Sequence, residues 1–129
     1  ICKMDLQHIS ASLNSIVTET AHFIAEQRKN FSLDAVSDKG LNQLVSYVDV
    51  EAEKLLVNAL SRLVPEAGFI TEENTSDVGR KTLNWIIDPL DGTTNFIHGL
   101  PVYSVSVALA EGQEILVCGV VMVLRMEQL

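Results

Sequence analysis

The stretch Trp85-Ile86-Ile87-Asp88-Pro89-Leu90-Asp91-Gly92-Thr93-Thr94-Asn95-Phe96 decides how this chain is read. An apolar run, Leu83 to Ile87, has the look of a buried strand and delivers two carboxylates, Asp88 and Asp91, three residues apart. Pro89 restricts Asp88 to extended backbone, and Gly92 permits a sharp turn directly after Asp91. Thr93-Thr94-Asn95 can then open a short helix whose first amide groups are free to meet an anion. Acidic oxygens for cations beside amide donors for an anion are what a phosphate held between metal ions requires. The competing interpretation is a turn in which Asp88 and Asp91 cap backbone groups. The length of the stretch and the strand ahead of it favour the first.

A second acidic pair, Glu72-Glu73, closes another short apolar run, Ala67-Gly68-Phe69-Ile70-Thr71. Neighbouring strand ends bring their carboxylates to one edge of a sheet, where they repel one another unless cations stand among them. Oxygen donors of this kind suit a hard, hydrated ion such as Mg²⁺. Few basic residues lie near these motifs, Lys39 being the best placed by pattern.

Upstream, Leu6, Ile9, Leu13, Ile16, Val17, Phe23 and Ile24 recur in steps of three and four, which predicts an amphipathic helix from about Asp5 to Lys29. Its polar side carries His8, Glu19, Glu26 and Arg28, and neither His8 nor His22 is given a chemical role. The polar run Ser37 to Gln43 reads as a loop or irregular hairpin before Leu44-Val45-Ser46-Tyr47-Val48. A second helix is expected to begin near Asp49, with Asp49 as its cap and Glu51 and Glu53 at its positive end. Ala52, Leu55, Leu56, Ala59, Leu60 and Leu63 form its apolar stripe, and Pro65 and Gly68 stop it. Downstream, Val105, Val107 and Leu109 alternate with Ser104, Ser106 and Ala108. Glu111-Gly112-Gln113-Glu114 reads as a hairpin turn, and Ile115 to Leu124 as a buried return strand. Trp85 is expected in the core, and His98 carries no assigned chemistry. The layout predicts two helices packed on one face of a mixed or largely antiparallel sheet, an α+β fold.

The chain has 129 residues, with 9 Lys and Arg against 17 Asp and Glu, a formal charge of −8. At 47% apolar residues it has enough material for a core and is a poor candidate for disorder. The acidic balance argues against nucleic acid or an anionic membrane as a partner. Its longest apolar run, Ile115 to Leu124, falls short of the roughly 20 residues of a bilayer span. The first residues show no signal-peptide pattern. Cys2 and Cys118 form neither a disulfide framework nor a zinc pattern. Cys118 is expected as a buried free thiol in a reducing, cytoplasmic protein.

These residues resemble the N-terminal part of the inositol monophosphatase family, the Mg²⁺-dependent, lithium-sensitive phosphatases. Trp85 to Phe96 is similar to the family's first signature, Glu72-Glu73 to its Glu pair, and Leu44 to Asp49 to the segment entering its second helix. The resemblance implies the layered α-β sandwich of sugar phosphatases. It also implies two to three Mg²⁺ ions, with Mn²⁺ able to substitute. Glu72, Asp88 and the Leu90 carbonyl would hold the first ion. Asp88 would bridge to a second ion, also held by Asp91, and Glu72 would help a third. Asp49 and Thr93 would orient and activate the attacking water, while Asp91, Gly92 and Thr93 would bind a small phosphorylated substrate. Lys39 would order water at the metals. The full-length protein is expected to be a cytoplasmic homodimer that hydrolyses small phosphate monoesters such as inositol monophosphate.

The family's later Trp-Asp motif has no counterpart here, because Trp85 is the only tryptophan and Ile86 follows it. Residues 1–129 are therefore expected to form a single partial domain. The alternatives are a non-catalytic metal-binding or dimerising fragment and, ranked lower, a fructose-bisphosphatase-like enzyme, whose relatives show Ser-Ser in place of Thr93-Thr94. An aspartyl-nucleophile phosphatase of the haloacid dehalogenase type is disfavoured, since it needs Asp-x-Asp.

Overall fold

The computed structural model describes residues 5–29, 38–71, 80–100 and 102–123. Helix α1 spans Leu6–Lys29. Asp5 caps it, its carboxylate accepting the His8 amide at 3.1 Å, which satisfies one of the free donors of the first turn. Ile9, Leu13, Val17, Ala21 and Ile24 form the buried stripe the spacing predicts.

Helix α2 spans Asp38–Leu63, which corrects the expected loop and the expected start at Asp49. Its buried stripe is Val48, Ala52, Leu56 and Leu60, in steps of four, with Leu44 and Val45 packed against the same core. That rhythm runs upstream through the segment read as irregular, and burial of the stripe outweighs the poor helix propensity of Gly40 and Asn42. Asp49 is therefore an interior helical residue and not a cap, and Glu51 and Glu53 are likewise interior. Glu53 is fully buried, whereas Leu55, expected on the apolar stripe, is exposed. Pro65 and Gly68 follow the end of α2 as anticipated.

Four strands form one sheet in the order β1 (Gly68–Ile70), β2 (Leu83–Asp91), β3 (Tyr103–Glu111) and β4 (Glu114–Val123). β1 runs parallel to β2, and the other neighbours are antiparallel. The β3–β4 hairpin turns at Gly112, whose φ of 59° lies in the left-handed region that glycine tolerates. Both long helices pack on one face of this mixed sheet, α1 against β3 and β4 and α2 against β2. Phe69, Trp85 and Leu109 stand side by side across β1, β2 and β3, all buried under the helices.

The opposite face explains two further corrections. Cys118 pairs with Ala108, and Val120 with Ser106, on the side away from α1. Cys118 is consequently exposed and not buried. Ile115 and Val120 are 55% and 62% exposed, so β4 is buried on one side only. A continuous apolar run suggested a strand covered on both faces, but the side that carries Cys118 and Val120 is left open. No helix among the described residues is long and apolar enough to cross a membrane.

At Gly119, β4 lies close against α1. A Cβ there would stand 3.2 Å from Leu13 Cγ and 3.7 Å from Val17 Cγ2. Gly119→Val is expected to destabilise the chain by about 1–3 kcal/mol, the usual cost of overpacking. In that background Leu13→Ala should cost less than it does alone, because the truncated side chain makes room. Urea midpoints of the four chains check this, and additive effects would show that helix and strand are not in contact there.

Candidate functional site

The segment that carries the chemistry is irregular in a specific way. Residues three apart on an ideal strand point to opposite faces. Along β2, however, Asp88 pairs with Ser106 and Asp91 with Ser104, with a register shift between them. Three residues of β2 thus span two of β3, which is a β-bulge, and the bulge returns Asp91 to the face that holds Asp88. Pro89 sits inside it, where an amide donor is not needed for the ladder. Asp88 is half-buried, Leu90 buried and Asp91 exposed.

A cavity of about 350 Å³ opens on this side of the sheet, with Thr71, Ile86, Asp88, Ser106 and Cys118 on its wall. A larger hollow of about 730 Å³ lies between α1 and β4. No acidic residue is among the described residues that line it, so the smaller cavity is the one associated with Asp88.

After Asp91 the chain turns at Gly92, with φ 96° and ψ 41°, and enters α3 (Thr93–Ile97). Only glycine fits here, for reasons of conformation and of space. A Cβ would stand 3.1 Å from the Val102 carbonyl and 3.3 Å from Tyr103 Cα, both backbone atoms. The Gly92 carbonyl accepts the Phe96 amide at 3.0 Å, closing the first turn of α3. Thr93, the first residue of α3, is half-buried.

Three anchors hold this short helix. Phe96 is fully buried, with its ring edge-on to Tyr103 at 5.5 Å. Asn95 Nδ2 donates to the Val102 carbonyl at 2.8 Å. Arg28, at the end of α1, donates from Nε to the Phe96 carbonyl at 2.8 Å and from Nη2 to the Ile97 carbonyl at 3.4 Å. The sequence placed Arg28 only on a polar helix face. Its signal was a basic residue in the last helical turn, which gives no hint of a partner sixty-eight residues away.

Asp49 is half-buried on α2. The end of α2 leads into β1, which runs parallel to β2. The N-terminal half of α2, with Asp49, therefore lies toward the Asp88 end of the sheet, and α2 also packs against α3. Glu72 and Glu73 lie outside the described residues, and so does the side chain of Lys39. Among the described residues no three Asp, Glu, His or Cys side chains come together as a metal-holding group. His98 is exposed, and Trp85 is core, as expected.

The inositol monophosphatase family model matches residues 5–129. The chain belongs to the inositol monophosphatase family. It is 44% identical over 95 residues to an inositol-1-monophosphatase of Mesorhizobium japonicum, covering 73% of this chain and 35% of that protein. It is 40% identical over 92 residues to Nus factor SuhB of Vibrio cholerae, covering 70% of this chain and 34% of that one. Among solved structures, extragenic suppressor protein suhB from Bartonella henselae superposes with a TM-score of 0.67 at 28% identity. That match covers 84% of this chain and 41% of the other. The chain thus spans about a third of the length of the curated relatives it matches, and the partial, mixed α-β sheet accords with that share of the family fold.

Proposed function

We propose that this chain supplies the metal-binding part of a phosphatase that hydrolyses small phosphate monoesters, inositol monophosphate being the family's type substrate. The observation that carries the reading is the bulge that turns Asp88 and Asp91 to one face of the sheet, directly before the left-handed turn at Gly92. The donor set fits Mg²⁺: carboxylates and a backbone carbonyl are hard oxygen ligands. Asp88, Asp91 and the Leu90 carbonyl would hold the ions together with Glu72. When bound, Mg²⁺ neutralises phosphoryl charge and provides a nucleophile that is active at neutral pH. Thr93 and Asp49 orient and activate the attacking water, the Gly92 and Thr93 amides receive the phosphate, and Lys39 orders nearby water. A cytoplasmic homodimer belongs to the same proposal for the full-length protein.

The test is a titration of the chain with Mn²⁺, followed by electron paramagnetic resonance, with folding monitored by circular dichroism. At least one ion should bind and be displaced by Mg²⁺. A folded chain that leaves millimolar Mn²⁺ free would refute the reading. Binding without turnover of a phosphate ester would favour the non-catalytic alternative.

A further inference from the structure

We propose that Arg28 is a positioning residue for the Asp91-Gly92-Thr93 turn, an inference that rests on the metal-site reading above. A helix of five residues has almost no stability of its own, so external contacts decide where α3 stands. Two of its three anchors, Phe96 on Tyr103 and Asn95 on Val102, come from the segment that follows it directly. They fix α3 to the start of β3, and α2 packs against it as well. Arg28 adds the hydrogen-bonded tie from α1 to the end of α3. Its guanidinium reaches the last carbonyls of α3 from α1, where a helix end is partly negative and a cation is favoured.

Gly99 makes the approach possible. A Cβ at this residue would stand 2.8 Å from Arg28 Nη2, and the chain turns there with φ 72°. The Phe96 carbonyl accepts both the Arg28 Nε–H and the Gly99 amide, the latter at 3.2 Å. One carbonyl therefore joins α1, the end of α3 and the turn beyond it. A shift of α3 moves Thr93 and, through Gly92, pulls on Asp91, the last β2 residue paired in the β2–β3 ladder, three residues beyond Asp88. Lysine cannot reproduce the planar fork, but it keeps the charge and a single donor nitrogen.

Four chains decide the matter: wild type, Arg28→Ala, Arg28→Lys and Ile9→Val. The last trims the buried face of α1 far from α3 and controls for general loosening. Arg28→Ala should weaken Mn²⁺ binding about tenfold, the low end of what loss of an outer partner of a metal ligand costs. Arg28→Lys should keep part of the affinity that Arg28→Ala loses, and Ile9→Val should bind as wild type does. In the metal-free chains, the amide resonances of Asp91, Gly92 and Thr93 should shift in Arg28→Ala and return toward wild type in Arg28→Lys. Unmoved amides in a folded Arg28→Ala overturn the proposal, as does equal weakening by Ile9→Val. If the wild-type chain binds no Mn²⁺, the metal-site reading fails, and the amide shifts still decide whether Arg28 sets the turn. If Arg28→Ala does not fold, Arg28→Met serves instead. It keeps the aliphatic stem and removes every donor to the Phe96 and Ile97 carbonyls, so it should move the same three amides, and unmoved amides overturn the proposal.

Discussion

Asp88→Asn is expected to lower the affinity of the chain for Mn²⁺ at least about a hundredfold, beyond the ten- to hundredfold typical of losing a ligand's outer partner. The substitution keeps the size and planarity of the side chain and exchanges one anionic oxygen for an amide. In water a single charge counts for little at close range, but on the wall of a half-enclosed cavity the same Coulomb attraction is several times stronger. Asp88 is half-buried there and Asp91 is exposed, so Asp91→Asn should weaken binding less. Ser106→Ala, across the ladder from Asp88, should leave affinity near wild type because it removes no charge. A titration followed by electron paramagnetic resonance ranks the three. Asp88→Asn binding as tightly as wild type would show that the metal, if bound, sits elsewhere.

Much of this arrangement can be read from local patterns, and the exceptions share a cause. The stripe of α1, the stop after Leu63, the hairpin at Gly112 and the left-handed Gly92 each follow from residues within a turn or two of one another. The start of α2 was hidden because Asp38, Lys39 and Gly40 have the composition of a loop, while the helical periodicity lay further on, in the four-residue steps from Val48. The exposure of Cys118 and Val120 could not be seen because a sheet face is covered or open according to elements far away in sequence. The bulge was hidden for a related reason. A spacing of three puts Asp88 and Asp91 on opposite faces unless the partner strand slips, and the partner, Ser104 to Ser106, lies beyond the intervening helix. Arg28 belongs with these cases, since its partners were defined only once α3 had been placed. What was local was legible, and what depended on pairing was not.

Trp85 offers the largest test of the fold beneath the site. It is the largest fully buried side chain, flanked in register by Phe69 and Leu109. Trp85→Ala is expected to cost about 3–5 kcal/mol, as truncation of a buried aromatic does. That is a large share of the roughly 5–15 kcal/mol available to a domain. Trp85→Phe should behave differently. The indole Nε1–H is buried with no hydrogen-bond partner among the described residues, a condition that costs about 1–3 kcal/mol. Phenylalanine leaves a smaller void and removes that donor, so the two effects oppose each other and the net change should stay within about 1 kcal/mol. Urea midpoints separate the two variants. If Trp85→Phe costs as much as Trp85→Ala, the indole nitrogen has a partner and the core owes part of its stability to it. The same pair of variants connects core to site. Trp85 and Asp88 share β2 on opposite faces, so a loosened strand lowers the occupancy of the metal-competent fold. Saturating Mn²⁺ should then recover part of the stability lost in Trp85→Ala, because an ion that binds only the folded chain shifts the equilibrium toward it.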